Sequence, residues 1–524
     1  MRRRTALVLA AVPTAFLAWF FAWPVASIAV TSLAHPPVPG SSIDLGVIWF
    51  TVWQAAVSTL LALAAGLPLA FVIARFDFPG RRLLRAVTLV PFVLPTLVVG
   101  VAFLALIGPS GMLGIDLTGT AGAVIAAHVF FNFAVVVRLV GGLWAQIDPR
   151  LEEAAASLGA GPWKAWLRVT FPLLRPAVIA SAAIVFLFCL TSFGTVLVLG
   201  SPQLATIEVE IHRKVSTMFD LRGAALLALI QMAGVTLALL AYSRHQDRSR
   251  VQHSLTVADP RPVRTARGRL LVIAAAAWTL LLVGLPTGVL AWRAFTSGGR
   301  PTAAGLRALA ESTVVDVGPA VAASLGYAAA ATLIAVGVGL PAAVVIAAGT
   351  GRISRWFDTL LMLPLGTSAV TLGFGMLVAL DAPIDLRASV AIIPIAHALV
   401  ALPFVVRATV PVLGAIRDRL REAAAVLGAD PRRVWREVDL PMARGAVAIG
   451  AGFAFVVSLG EFGATTFLAR PGSPTIPLAI FRMLGRPGTA NLQGAMVLSV
   501  ILMAITVTAV LLVERIRMPG RDLF

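Results

Sequence analysis

Apolar runs long enough to cross a bilayer recur along the whole chain. Twelve are legible, at about 5–33, 46–74, 84–108, 119–144, 176–200, 223–242, 270–292, 318–349, 356–380, 388–413, 443–469 and 489–513. A helix needs roughly 20 apolar residues to span the hydrocarbon core, and several of these runs exceed that, which implies tilting or interfacial extensions. Only 13% of the 524 residues are charged and 59% are hydrophobic, with mean hydropathy +0.93. A soluble domain carries roughly 25% charged residues, so lipid must be the solvent for much of this surface. The expected fold is an all-α integral membrane protein of about twelve helices. The single cysteine, Cys189, lies inside an apolar run and excludes intramolecular disulfides and cysteine-ligated clusters.

The formal charge of +18 would point to nucleic acid in a soluble protein. In a membrane protein it is first a topological signal. With the N-terminus inside, 32 of the 42 Lys and Arg residues fall on the inner side and 10 on the outer. That bias places both termini in the cytoplasm, explains most of the basicity, and leaves no call for a nucleic-acid partner. Arg2, Arg3 and Arg4 ahead of the first run imitate a signal peptide. The run is about twice a signal's apolar length, so an uncleaved first span is expected.

The chain also repeats itself. Thr59-Leu60 and Gly66-Leu67-Pro68 match Thr332-Leu333 and Gly339-Leu340-Pro341, and Pro91 and Gly100 match Pro364 and Gly373, all at an offset of 273. Further on the offset is 269: His128 matches His397, Arg138 matches Arg407, Phe193-Gly194 matches Phe462-Gly463, and Thr206-Ile207 matches Thr475-Ile476. Six spans per half make the repeats parallel, related by an axis along the membrane normal. The expected organisation is a first repeat over 1–242, a cytoplasmic Arg-rich linker over 243–269, and a second repeat over 270–524.

Two loops on the inner side carry the strongest match. In the first, 150–175, Glu153-Ala154-Ala155-Ala156 leads to Gly159, Pro162 and Pro172; in the second, 418–444, Glu422-Ala423-Ala424-Ala425 leads to Gly428, Pro431 and Pro441. The Glu-Ala-Ala-Ala run favours helix. Gly159 and Gly428 suit a left-handed C-terminal cap, and Pro162 and Pro431 suit the first turn of a second helix. That second helix is expected to stop before Pro172 or Pro441. One such loop would read as an amphipathic segment on lipid headgroups. Two in register suit docking to two copies of one partner.

This pattern resembles the EAA loop of the import permeases of ABC transporters, and the resemblance covers essentially the whole chain. Departures are small: Phe171-Pro172 stands for the usual Leu-Pro, and Val169 and Val438 for a nearby Ile. The resemblance implies that the loops are coupling helices seated in grooves of an ATP-binding subunit. It assigns Glu153, Ala154, Ala155, Gly159 and Pro172, with Glu422, Ala423, Ala424, Gly428 and Pro441, to coupling. The chain has no nucleotide site of its own, because its two lysines, Lys164 and Lys214, are followed by Ala165 and Val215 and lack the phosphate-binding glycine pattern. ATP and Mg are therefore expected on two copies of a separate ATPase, and the chain is expected to be a transport subunit, not an enzyme.

The stretch Ser458-Leu459-Gly460-Glu461-Phe462-Gly463 is similar to the fused permeases of the iron(III) and thiamine branch of that family, and His128-Val129-Phe130-Phe131-Asn132 looks most like its thiamine members. Polar groups inside spans are costly and are functional candidates by default. Glu461, His128, His397, Asn132 and Gln231 are thus candidates for the pathway or a gate, although the histidines also suit hydrogen-bonded packing. Neither histidine has a partner at metal-ligand spacing. By analogy the outer loops face an extracytoplasmic substrate-binding protein, with Glu208, Glu210, His212 and Arg213 as candidate contacts, or else simply as a solvated loop. The implied location is a bacterial inner membrane. The competing reading is a secondary transporter driven by an ion gradient, for which Arg75-Phe76-Asp77-Phe78-Pro79-Gly80-Arg81-Arg82 is a loose signature. Its counterpart near Gly351-Arg352 lacks the pattern, and the paired loops would have no job. No cluster of acid, base or nucleophile suggests a membrane enzyme. Iron(III) chelates, thiamine or its phosphates, polyamines and inorganic anions all remain open as solutes.

Overall fold

The computed structural model describes residues 3–36, 38, 39, 42–248, 260–349, 351–381, 385–387, 389–470, 472 and 474–516. Helices dominate, and the only paired strands among the described residues are two-residue pieces: Phe76–Asp77 runs parallel to Arg261–Pro262, and Thr296–Ser297 antiparallel to Arg300–Pro301. Ten described helices are long and apolar enough to cross a membrane: Leu7–Ala34, Leu45–Arg75, Ala121–Trp144, Pro162–Leu190, Leu221–Arg244, Ala266–Ala294, Val317–Ala348, Ile392–Ala415, Pro431–Gly460 and Thr489–Val513.

The two expected spans missing from that set, the third and the ninth, are broken by proline. Arg81–Val93 and Thr96–Ile107 meet at 102°. Leu94 is extended, the conformation a residue takes before proline, and Pro95 starts the second piece. In the second half, Arg352–Met362 passes through a single 3₁₀ turn around Pro364 to Ala369–Ala379. There Ser368 caps the new helix, its hydroxyl accepting from the amides of Val370 (3.1 Å) and Thr371 (3.2 Å). Pro95 and Ser368 are equivalent positions, so proline and a serine cap serve as alternative helix starters.

A different proline effect overturns the expectation that the second loop helix stops before Pro172 or Pro441. Pro162–Ala165 continues through a π turn, Trp166–Thr170, into Phe171–Leu190, and Pro431–Val434 continues through Trp435–Asp439 into Leu440–Gly460. The same device occurs at Ala18–Ala22 before Pro24 and at Leu280–Gly284 before Pro286. In all four places the residue just before the proline donates its amide five residues back, from Phe171 to Trp166 and from Leu440 to Trp435 in the loops. Proline lacks an N–H, and its ring collides with the carbonyl four residues earlier in a regular α-helix. Widening one turn moves that carbonyl aside, so the helix passes the proline without stopping.

The chain forms two compact units, and contacts do not follow the 1–242 and 270–524 division of the sequence. One unit contains 1–42, 211–232 and 304–521; the other is built from 43–210 and 233–303. The lead span of each half is thus exchanged. Trp23 donates its indole N–H to the carbonyl of Ala379 (3.1 Å), within the first unit. Trp278 donates to the carbonyl of Ala65 (3.2 Å), within the second.

The repeat persists down to single hydrogen bonds. The amide of Ile207 donates to the Thr51 hydroxyl (3.0 Å), and that of Ile476 to the Ser324 hydroxyl (2.7 Å). The glycines matched at offset 273 mark close helix crossings. A Cβ on Gly100 would lie 3.0 Å from Val198 Cβ, and one on Gly373 only 2.6 Å from Ala464 Cα. Gly373→Val is therefore expected to cost about 1–3 kcal/mol, the usual size of overpacking. Thermal unfolding in detergent reads it, and an unchanged midpoint would mean that these helices do not touch there.

Candidate functional site

The two Glu-Ala-Ala-Ala loops fold as matched helix–turn–helix elements. Arg150–Ser157 and Asp418–Val426 end at glycines in the left-handed region, Gly159 at φ +82° and Gly428 at φ +85°. The amides of Gly159 and Ala160 donate to Ala156 (2.9 Å) and Ala155 (3.0 Å), and those of Gly428 and Ala429 to Ala425 (3.0 Å) and Ala424 (3.0 Å). This is the cap that satisfies the last carbonyls of a helix when glycine supplies positive φ. Glu153, Ala154, Glu422 and Ala423 are exposed or half-exposed, and Ala155 and Ala424 lie beside them on the same short helices. Pro172 and Pro441 sit just past the π turns, where each loop joins its span.

Sequence reasoning missed the tips. Leu158 is 89% exposed and Leu427 is 87% exposed, each immediately before its glycine, and Val426 is also 87% exposed. Apolar side chains held out on a rigid turn suit insertion into a partner's groove. Their signal in the sequence was a leucine next to the capping glycine in both copies.

Each loop helix is tied to the π turn that follows, by different chemistry. In the first loop Glu152 accepts from Thr170 and pairs with Arg75 (2.6 Å), whose other nitrogen donates to the Ile147 carbonyl (3.1 Å). The equivalents of Glu152 and Thr170 at offset 269 are Arg421 and Asp439, and they pair at 2.8 Å. Arg421 also pairs with Asp418 (2.8 Å) and donates to the Leu413 carbonyl (3.2 Å). Burial works against the Arg421 charge, but the hydrogen bonds and charges of Asp439 and Asp418 outweigh it and hold its pKa above the ordinary arginine value. An acid tethered to a hydroxyl in one loop has become a base tethered to an acid in the other.

At the other end of the same spans the helices break. Phe171–Leu190 stops at Thr191, and Gly194–Leu199 begins anew; Leu440–Gly460 stops at Glu461, and Gly463–Leu468 begins anew. The paired histidines brace these breaks. His128 reaches the Ser192 hydroxyl at 2.8 Å and the Ser58 hydroxyl at 3.4 Å. His397 reaches the Ser458 hydroxyl at 2.7 Å, the Thr465 hydroxyl at 2.8 Å and a Glu461 oxygen at 3.1 Å. The Glu461 carboxylate also accepts from the amides of Ala464 (2.9 Å) and Thr465 (3.2 Å) and from the Thr465 hydroxyl (2.8 Å). It caps the short helix as an acid at an N-terminus does. Asn132 donates to the His128 carbonyl (2.9 Å) and to Cys189 Sγ (3.3 Å). Glu461, His128, His397, Asn132 and Gln231 are each at most 7% exposed. In this conformation Glu461 lies at a helix break, His128 and His397 bond to side chains at the two breaks, and Asn132 bonds to a carbonyl of its own helix and to Cys189.

The outer candidates are rearranged by burial. Contact with a soluble partner needs solvent-facing groups, yet Glu208 is 0% exposed and Glu210 4%. Only His212 and Arg213 remain half-exposed. His212 packs edge-on against Phe467 (5.6 Å) and Phe481 (6.3 Å). The turn that follows is closed by a buried ion pair, Lys214 to Asp220 at 2.9 Å, and Asp220 also accepts from the Gly223 amide (2.8 Å). This pair holds Phe219 out at 78% exposure with φ +55°, a conformation a bulky residue does not adopt unforced. Lys214→Met leaves Asp220 charged and buried, so a loss of about 3–5 kcal/mol is expected. Lys214→Met with Asp220→Leu should recover part of it in the same thermal-unfolding assay.

Paired helix–turn–helix loops, each continuous with an apolar helix long enough to cross a membrane, mark a membrane-embedded transport permease. Residues 66–252 and 335–517 each match the binding-protein-dependent transport system inner membrane component, and the chain belongs to that family of importer permeases. It is 31% identical over 480 residues to the thiamine transport system permease protein ThiP of Brucella abortus (strain 2308), covering 88% of this chain and 86% of that one. It is 28% identical over 503 residues to ThiP of Salmonella typhimurium, covering 91% and 89%. A probable sulfate transport system permease protein, cysT of Chlorokybus atmophyticus, is 32% identical over 200 residues, 36% of this chain and 69% of that one. Membership makes the protein a multi-pass inner-membrane component that works with a substrate-binding protein and an ATPase, and it disfavours the ion-gradient reading.

Proposed function

We propose that this chain forms the whole solute pathway of an importer for thiamine or its phosphates, driven by two copies of one ATPase subunit. The observation that carries it is the duplicated loop, with the same cap, the same exposed leucine and the same join to a span in both halves. The ATPases hold ATP and Mg on the cytoplasmic side, where both termini of this chain also lie. A binding protein delivers solute on the opposite face. Closure of the ATPases moves the loop tips, and the spans continuous with them carry that motion across the membrane. The similarity to thiamine permeases along 480 residues supports the choice of solute.

The test is purification of the tagged chain from its native membrane, followed by reconstitution in vesicles. Two ATPase subunits per chain, and ATP-dependent uptake of labelled thiamine when the binding protein is added, are expected. Uptake of iron(III) in place of thiamine would correct the solute. Uptake on an ion gradient without ATP would overturn the reading.

A further inference from the structure

The two loops are alike in fold but differ in what occupies them. At the first, the strand Arg261–Pro262 of the linker lies parallel to Phe76–Asp77 at the end of a span. Pro260 and Arg261 close a narrow crevice with Ala74, Arg75, Trp144, Ala145 and Pro149, leaving about 10 Å³. From there Arg261 forms an ion pair with Glu153. At the second loop the equivalents of Asp148, Pro149, Arg150 and Glu153 are Arg417, Asp418, Arg419 and Glu422. These four line an open cavity of about 580 Å³. Glu422 is exposed, and none of the described residues forms an ion pair with it.

We infer that the linker is a built-in competitor for the first docking site: Arg261 holds Glu153 in a self-paired state that an ATPase subunit must displace, whereas Glu422 is open from the start. The inference rests on the proposed coupling role of the loops. Its chemistry is the exchange of one basic partner for another on a single carboxylate. Side chains of Arg261 and Glu153 are 52% and 60% exposed, so the pair can open without unfolding its surroundings. An exposed ion pair of this kind shifts an equilibrium by a few-fold at most. The linker therefore grades the first site and does not block it. Assembly becomes biased, with the second site filled first more often than the first.

The experiment measures binding of the co-purifying ATPase subunit to the full chain in detergent. Glu422→Arg weakens the second site and leaves the first to be read. In that background Arg261→Ala is expected to tighten binding two- to fivefold at low salt, with the gain fading at high salt. In a Glu153→Arg background Arg261→Ala is expected to change nothing. Unchanged or weaker binding for Arg261→Ala in the Glu422→Arg background would overturn the inference and make the linker contact a support. Failure of the unaltered chain to bind any ATPase is a separate result, and it would overturn the coupling reading itself.

Discussion

Replacing Gly428 with valine is expected to abolish most transport while leaving a folded, inserted protein that still binds its ATPase. Gly428 sits at φ +85° with open space around its missing side chain, so the obstacle is backbone strain and not a clash. A β-branched residue resists the left-handed region by roughly 1–2 kcal/mol. The helix end escapes that strain by giving up the bonds from Gly428 and Ala429 to Ala425 and Ala424. The tip then loses the fixed orientation of Leu427, which is the part a partner's groove would grip. Transport in vesicles should fall at least tenfold, while ATP hydrolysis by the assembled complex falls far less. That separation is the signature of lost coupling. Gly159→Val should act in the same direction through Leu158. Unimpaired transport by the double variant would remove the loops from the mechanism.

Glu461→Ala is expected to be the most destabilising single change in the membrane interior. Four groups lean on this carboxylate: the amides of Ala464 and Thr465, the Thr465 hydroxyl and the His397 ring. Removing it leaves the amides of Ala464 and Thr465 with their full desolvation cost, about 1–3 kcal/mol apiece before relaxation, while His397 keeps Ser458 and the Thr465 hydroxyl keeps the Glu461 carbonyl. A total loss of about 3–5 kcal/mol follows, in line with breaking a buried charged cluster. Glu461→Gln retains an acceptor oxygen and should lose less. Ser192→Ala, at the equivalent break, removes one hydroxyl from His128 and should cost about 1 kcal/mol. Thermal midpoints of the three variants in detergent give the ranking. If Glu461→Ala melts like the unaltered chain but transports poorly, the carboxylate serves solute passage and not the fold.

Much of this is legible in the sequence because its causes are local. Apolar length set the spans, and Glu-Ala-Ala-Ala followed by Gly set the loop helices and their caps. Pro162 and Pro431 open the second loop helices as their position suggests. What escaped depends on groups distant in sequence or on the geometry of neighbours. The behaviour of Pro172 and Pro441 could not be read from proline alone, since one widened turn decides between stopping and passing. Glu208 and Glu210 looked like solvated loop charges because burial by other helices leaves no mark on a charge pattern. Glu461 was found by its cost in lipid, but its partners at positions 397, 464 and 465 lie on helical pieces other than the span it ends. The tether from Arg421 to Asp439 is invisible to any matching of like with like, because its counterpart in the first loop is an acid and a hydroxyl.

The π turns before Pro172 and Pro441 also fix the mechanics of the molecule. With no break at the proline, Pro162–Leu190 is a single rod of 29 residues, about 44 Å long at 1.5 Å per residue. A rod has no slack. The first interruption of the helix beyond the loop is at Thr191 and Ser192, or at Glu461 in the other half. The histidines stand where these continuous helices end, His128 bonded to Ser192 in one break and His397 to Ser458 and Thr465 on either side of the other.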